Sequence, residues 1–420
     1  IPLALPQIGP AAQAPKIPGW GGGEAGYDEG HGPGPGPRRI PARASCQTPP
    51  MELQDVQALQ TQVLWAAFAV SAAFGAIAQR THFCTMGAIS DIYNMGSWVR
   101  MRMWGMAVGV AMIGFYAMAW LGWIAPFETI YSSGRVLWLS ALLGGAMFGF
   151  GMVLASGCGS KTLVRIGEGS LKSLVVFFVM GFAAYASMRG MTGLLRSRTT
   201  DLVGFDIAAG SPAPAWLSAA MGTDPLATGL ALALLVGGGL VAWALADAEF
   251  RGSADNLLAG LGIGGVIAAM WWIIGHLGFV AEHPETLEAT YLGTAGGRMQ
   301  ALSFTSPMAR TLDWVMSYDG NATLTLGVVS VAGVVIGALA YALANRSFQW
   351  EGFHGTQDTA LHIVGALFMG VGGVTAGGCT VGQGLSGLST LSLTSMIAVA
   401  GIMLGGVAGL RLQMWLIMRD

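Results

Sequence analysis

From residue 61 to its C-terminus the chain is a succession of apolar stretches, each about 20 residues long and set apart by turn-rich or charged connections. In a bilayer such a stretch crosses the hydrocarbon layer as one α-helix, because only a helix satisfies its own backbone groups there. The expected spans lie near 61–79, 99–124, 136–156, 171–190, 225–246, 256–279, 323–344, 359–377 and 393–417. Composition points the same way. Charged residues make up 10% of the chain, where soluble domains average about 25%, and the mean hydropathy is +0.59. The expectation is an all-α integral membrane protein with about nine transmembrane helices. A net charge of -2 gives no basic field for nucleic acid.

Residues 1–50 differ from the rest. They hold eleven of the seventeen prolines and none of the twenty-three methionines. Such a stretch buries too little apolar surface to fold and lacks the layout of a signal peptide. It reads as a disordered or non-native N-terminal extension, with Met51 opening a single transmembrane domain over 51–420 and Cys46 outside the working protein.

Inside the apolar body one element occurs twice. Gly370-Val-Gly-Gly-Val-Thr-Ala-Gly-Gly-Cys379 matches Gly149-Phe-Gly-Met-Val-Leu-Ala-Ser-Gly-Cys158 at six of ten positions. Glycine weakens a helix and permits backbone conformations that other residues resist. Each element therefore predicts a helix break at membrane depth, where irregular backbone is tolerated only in a protein interior or along a cavity. Two such elements, one per half, predict a pseudo-symmetric internal repeat with short re-entrant half-helices. No copy of the Cys84 segment is evident beyond a weak candidate, Gly275-His276-Leu-Gly278.

A third thiol, Cys84, lies in Arg80-Thr-His82-Phe-Cys84-Thr-Met-Gly87, which reads as a re-entrant connection after the first span. A single buried cysteine is commonly a small packing residue, but three beside glycine-bearing breaks suggest a shared role. No CxxC is present, and the spacing sets no disulfide framework. The methionines scatter without paired soft-metal ligand spacing and read as packing residues. His82 reads as a polar interface residue. Trp98, Trp104, Trp120, Trp123, Trp271 and Trp272 read as interface anchors. Segment 280–322 is long for a connector and reads as a structured cap over the outer face.

Connections on one side carry ten Lys or Arg from Met51 onward, including Arg80, Lys161, Arg165 and Lys172, against six on the other. The positive-inside rule then puts the N-terminus outside and the C-terminus in the cytoplasm. The positive charges after Cys158 fit topology first and attraction of an anion second. Helix N-termini at the breaks offer the anion another partner.

The elements around Cys84, Cys158 and Cys379, above all Ala-Ser-Gly-Cys158-Gly and Ala-Gly-Gly-Cys379-Thr, resemble the YeeE/YedE family over residues 60–417. The resemblance implies a bacterial inner-membrane permease that takes up thiosulfate, with the three cysteines contacting the anion along its route. It also implies selenium or other sulfur compounds as alternative cargo, and a small cytoplasmic sulfur carrier resembling TusA as a separate partner. Neither a cofactor nor a resident metal is implied, and no bond change.

Thiols suit such cargo. A sulfur dianion in a low-dielectric passage needs donors in place of its water. Neutral thiols are weak donors, and conduction fails if any site holds too tightly. Gly157, Gly159, Gly377 and Gly378 flank the thiols and join them as candidate contacts through close backbone approach and exposed N–H groups. Gly260, Gly264, Gly333 and Gly337 read as helix-packing residues. Two other chemistries stay open on the residues alone. A thiol-redox protein requires two sulfurs in bonding reach, and a soft-metal transporter requires a converging ligand cluster.

Overall fold

A computed structural model describes residues 53–318, 324–353 and 355–418. The proline-rich head, with Cys46 and Met51, lies outside the described residues. Among these residues, nine helical spans are long and apolar enough to cross a bilayer, as the sequence leads one to expect. The first half contains α1 (Leu53–Thr81), α2 (Thr85–Met95), α3 (Val99–Trp120), α4 (Trp138–Leu154), α5 (Gly159–Glu168) and α6 (Leu171–Arg189). Short α7 (Met191–Arg198) and α8 (Ala213–Met221) follow. Next come α9 (Pro225–Leu232) and α10 (Gly238–Leu245), joined by a π-helical turn, and then α11 (Ala248–Arg251). The second half contains α12 (Ala254–Trp272), α13 (Thr305–Met316), α14 (Leu326–Ala344), α15 (Thr356–Thr375) and α16 (Leu393–Ile417).

Helix starts and stops follow local chemistry. Ser170 caps α6 by accepting the Ser173 N–H, and Gly96 (φ 67°) and Gly169 (φ 102°) end α2 and α5 in left-handed conformations. The first helix starts earlier than its apolar run. Leu53–Gln60 is polar on average, yet Val56 is buried against Val280 and Leu292, and tertiary packing extends the helix.

The connections sort onto two faces. Ion pairs Arg80–Asp255 (2.9 Å), Arg102–Asp247 (3.2 Å) and Lys172–Glu351 (2.6 Å) tie together those of one face. On the opposite face β1 (Arg135–Val136) pairs with β2 (Phe205–Asp206), and Thr129 bridges Met299. A second ribbon there, β3 (Phe279–Val280) with β4 (Thr290–Tyr291), follows a π-helical turn, Ile273–Leu277.

Packing reveals the repeat. The α1·α14 pair mirrors α12·α3, α4·α16 mirrors α15·α6, and α2 on α3 and α16 mirrors α13 on α14 and α6. Because Arg80 near the end of α1 meets Asp255 at the start of α12, the copies run in opposite senses. Four spans, one extra span (α9–α10 against α3) and four spans resolve the odd number of nine.

This correspondence changes two expectations. The counterpart of the Cys84 turn is the start of α13, not Gly275-His276, which closes α12 at the face where His276 stacks on Trp272. Segment 280–322 is only partly a cap. Its β3–β4 ribbon lies at the face, but Phe304, Thr305 and Met308 are fully buried, and Phe304 meets Phe74 two turns before the end of α1.

Glycine lets the two broken helices touch. A Cβ on Gly365 of α15 would stand 2.6 Å from the Ala155 nitrogen and the Gly151 carbonyl of α4. The expected packing glycines behave likewise: Gly264 lies against the Ala107 carbonyl, Gly333 against that of Phe68, Gly260 against Met106, and Gly337 against the Ala72 backbone.

Candidate functional site

All three membrane-body cysteines are free and start short helical segments. Cys84 is the N-cap of α2, and its sulfur accepts the Gly87 N–H at 3.5 Å. Cys158 is the N-cap of α5 without a side-chain cap hydrogen bond, and its sulfur has Ser160 Oγ at 3.2 Å. Cys379 begins the re-entrant turn that includes the π-helical segment Gly382–Gly387, and it accepts the Gly382 N–H at 3.4 Å. The Cys84 and Cys379 sulfurs thus each take a backbone N–H three residues on, where a serine or aspartate would ordinarily sit. A helix N-terminus carries partial positive charge, so the three caps form an electropositive interior.

The order of contacts runs through the protein. Cys84 and Cys158 lie within side-chain hydrogen-bonding reach of each other. Thr380 lies within reach of Cys158, and its chain neighbour Cys379 stands beside Tyr131. Cys158 and Cys379 are buried, whereas Cys84 is half-buried. Depth follows from the packing. Gly159 abuts Met180 at the middle of α6, so Cys158 sits near mid-depth.

Beyond Cys379 a cavity of about 220 Å³ opens at the β1–β2 face, lined in part by Tyr131, Arg135, Gly377, Gln383 and Thr394. Gln383 is a buried member of that lining. The Gln383 Nε2 donates to the Ala376 carbonyl at 2.8 Å, and Ser395 Oγ donates to Oε1 at 2.6 Å. The Tyr131 hydroxyl donates to the Gly382 carbonyl at 2.6 Å. Burial, and secondarily the neighbouring Cys379, hold that phenol protonated and far above its ordinary range.

The four candidate glycines flank the thiols in distinct ways. Gly377 takes φ +73° and faces the cavity, a conformation L-residues resist. Cβ atoms on Gly157, Gly159 and Gly378 would meet Lys161, Met180 and Gln383 at 3.1–3.3 Å. Their amides are mostly engaged in ending α4 and α15: Gly157 donates to Met152, Gly377 to Val374 and Gly378 to Gly373. Room and conformation, rather than exposed N–H groups, are what these three supply.

The charges after Cys158 also separate. Arg165 donates to the Ser156 carbonyl at 3.1 Å, and Lys172 pairs with Glu351. Lys161 is the one whose charge faces Cys84. His82 is exposed in a left-handed conformation (φ 50°). Gln383, Tyr131, Ser160 and Thr380 escape a search for cysteines. One signal for them is nevertheless written in the chain: Cys84-Thr-Met-Gly87 and Cys379-Thr-Val-Gly382 share the pattern Cys-Thr-x-Gly, with the same sulfur-to-glycine bond.

Comparison with known proteins places this arrangement in context. The family described as Sulphur transport matches residues 80–408. The chain is 28% identical to the thiosulfate transporter TsuA of Escherichia coli (strain K12), across 80% of this chain and 90% of that protein. It is 24% identical to the thiosulfate transporter TsuA of Spirochaeta thermophila, across 82% of this chain and 97% of that one. A probable transporter YedE of Salmonella typhimurium is 32% identical over 23% of each chain.

Proposed function

The chain belongs to the sulphur transport family, and from that premise we propose that it carries thiosulfate, or a closely related small sulfur anion, into the bacterial cytoplasm through successive contacts with Cys84, Cys158 and Cys379. The observation that carries this reading is the common setting of the thiols: each stands at the start of a short helical segment inside the protein, and at Cys84 and Cys379 the sulfur accepts a backbone N–H, which leaves the S–H of Cys379 available to a passing anion. Two relatives named as thiosulfate transporters support the choice of cargo.

A dianion leaving water must recover interactions that would otherwise cost several kcal/mol or more. Helix N-termini offset part of that cost without binding tightly, and weak S–H donors supply local contacts. The anion enters the Arg135 cavity, passes Gln383 to Cys379, then meets Cys158 and Cys84, with Lys161 drawing it onward. No bond need form or break. Contact through S–H groups requires neutral thiols, since a thiolate would repel the cargo. The Lys and Arg bias supports an external Arg135 face, so a Ser133→Cys variant should react with an impermeant maleimide in whole cells; reaction only in inverted vesicles would reverse the direction. A small TusA-like carrier would meet the released anion at the opposite face.

Growth of a sulfate-uptake-deficient bacterium on thiosulfate alone tests the route. Cys84→Ala, Cys158→Ala and Cys379→Ala, each confirmed in the membrane, should slow growth and uptake. Undiminished uptake in all three would overturn the thiol route.

A further inference from the structure

Thr380 is 2% exposed, and its hydroxyl makes no well-formed hydrogen bond, although it stands within reach of the Cys158 thiol. Buried hydroxyls are ordinarily paired, because an orphan forfeits its water without compensation. Here pairing would be easy. Thr61, Thr81, Thr162 and Thr375 all donate to the carbonyl four residues back in their helices. Thr380 sits in the turn after Cys379, where that option is not taken.

The same residue type recurs at equivalent points. A buried threonine follows the cap of α2 (Thr85), the cap of α13 (Thr305) and Cys379 (Thr380). Thr305 too is fully buried with an unpaired hydroxyl. Threonine thus recurs at three of the four related starts, and at two of them a donor stands ready inside the protein.

We infer that Thr380 is an oxygen-donor contact for the sulfur oxyanion, placed between Cys379 and Cys158. The inference rests on the transport reading and adds a contact of different chemistry. A hydroxyl is a stronger donor than a thiol and suits the oxyanion end of thiosulfate, while thiols suit its polarisable sulfur. Adjacent donors of both kinds let the anion turn or advance without losing all partners at once, which favours passage over trapping.

The sign of a stability change separates this role from a structural one. Thr380→Val keeps the shape and removes the orphan hydroxyl, so the substrate-free protein should unfold at the same temperature or higher. Binding should suffer instead. Sodium thiosulfate should give Thr380→Val a smaller thermal shift than wild type, and the KM for radiolabelled thiosulfate uptake in proteoliposomes should rise about 10- to 100-fold, as loss of a hydrogen bond to an ion implies. Thr380→Ser, which restores the hydroxyl, should return KM to within about threefold of wild type. The inference is overturned if Thr380→Val keeps the wild-type thermal shift and KM, or if it lowers the substrate-free unfolding temperature and serine does not rescue uptake. Wild-type protein that neither binds nor takes up thiosulfate would overturn the transport reading itself, and this inference with it.

Discussion

Replacing Gln383 with leucine should loosen the turn that holds Cys379. The wild-type amide joins two elements: Nε2 binds the Ala376 carbonyl at the end of α15, and Oε1 takes the Ser395 hydroxyl near the start of α16. Leucine has similar bulk but leaves both groups unpaired. An unpaired buried carbonyl costs about 1–3 kcal/mol, and the hydroxyl bond contributes about 0.5–1.5 kcal/mol. Ser395 can rotate toward another acceptor, so a net local loss of about 2–3 kcal/mol is expected. At about 1.4 kcal/mol per tenfold, that is a roughly 30- to 150-fold faster hydrogen exchange at the Gly382 and Gln383 amides, if these exchange by local opening. The same change should let an impermeant thiol reagent reach Cys379 from the cavity face, since Gln383 lines the cavity and its amide holds the turn that starts at Cys379. Exchange altered by less than threefold, with Cys379 still unreactive, would refute the role of Gln383 in holding that turn.

Further outcomes follow from the packing and the charges. Gly365→Val should sharply reduce the yield of folded protein in size-exclusion chromatography, because its Cβ would meet α4 backbone at 2.6 Å, whereas Gly239→Ala, with open space around it, should be tolerated. Lys172 holds the Glu351 carboxyl below its usual range. The resulting stabilisation is present above the unfolded carboxylate pKa and is lost as pH falls through the lower folded value. With Glu351 44% exposed, screening limits it to under about 1 kcal/mol, so Glu351→Gln should lower the unfolding temperature slightly at pH 7, and the difference should vanish in strong acid or high salt. We also propose that residues 1–50 take no part in transport; deleting them should leave uptake kinetics unchanged.

Much of the architecture is legible because a bilayer enforces it. Length and apolarity mark the nine spans, and paired Gly-Cys elements mark two of the breaks. The start of α13 is hidden for a physical reason. Its segment, Thr305-Ser-Pro-Met-Ala-Arg, is too short and polar to read as a span, and its burial comes from α6 and α14 rather than from lipid. Symmetry in contacts survives where symmetry in sequence does not. Gln383, conversely, is visible beside Cys379, but nothing local tells that its amide reaches Ala376 and Ser395 instead of water.

The inverted repeat also sets how the thiols should differ. Cys158 and Cys379 are related by duplication, so equal surroundings would make their losses equal. The surroundings are not equal. Cys158 has Ser160 Oγ at 3.2 Å and Thr380 within reach, so an anion at that point keeps hydroxyl donors when the thiol is gone. Beside Cys379, the Tyr131 hydroxyl is already committed to the Gly382 carbonyl. Cys158→Ala should therefore retain more thiosulfate uptake than Cys379→Ala, and removing Ser160 as well should narrow the gap. A single hydrogen bond to an ion is about 1.5–3 kcal/mol, so the difference should amount to roughly tenfold or more in initial rate below saturation. Identical rates in the two single variants, at equal membrane abundance, would mean that the passing anion does not sample these hydroxyls.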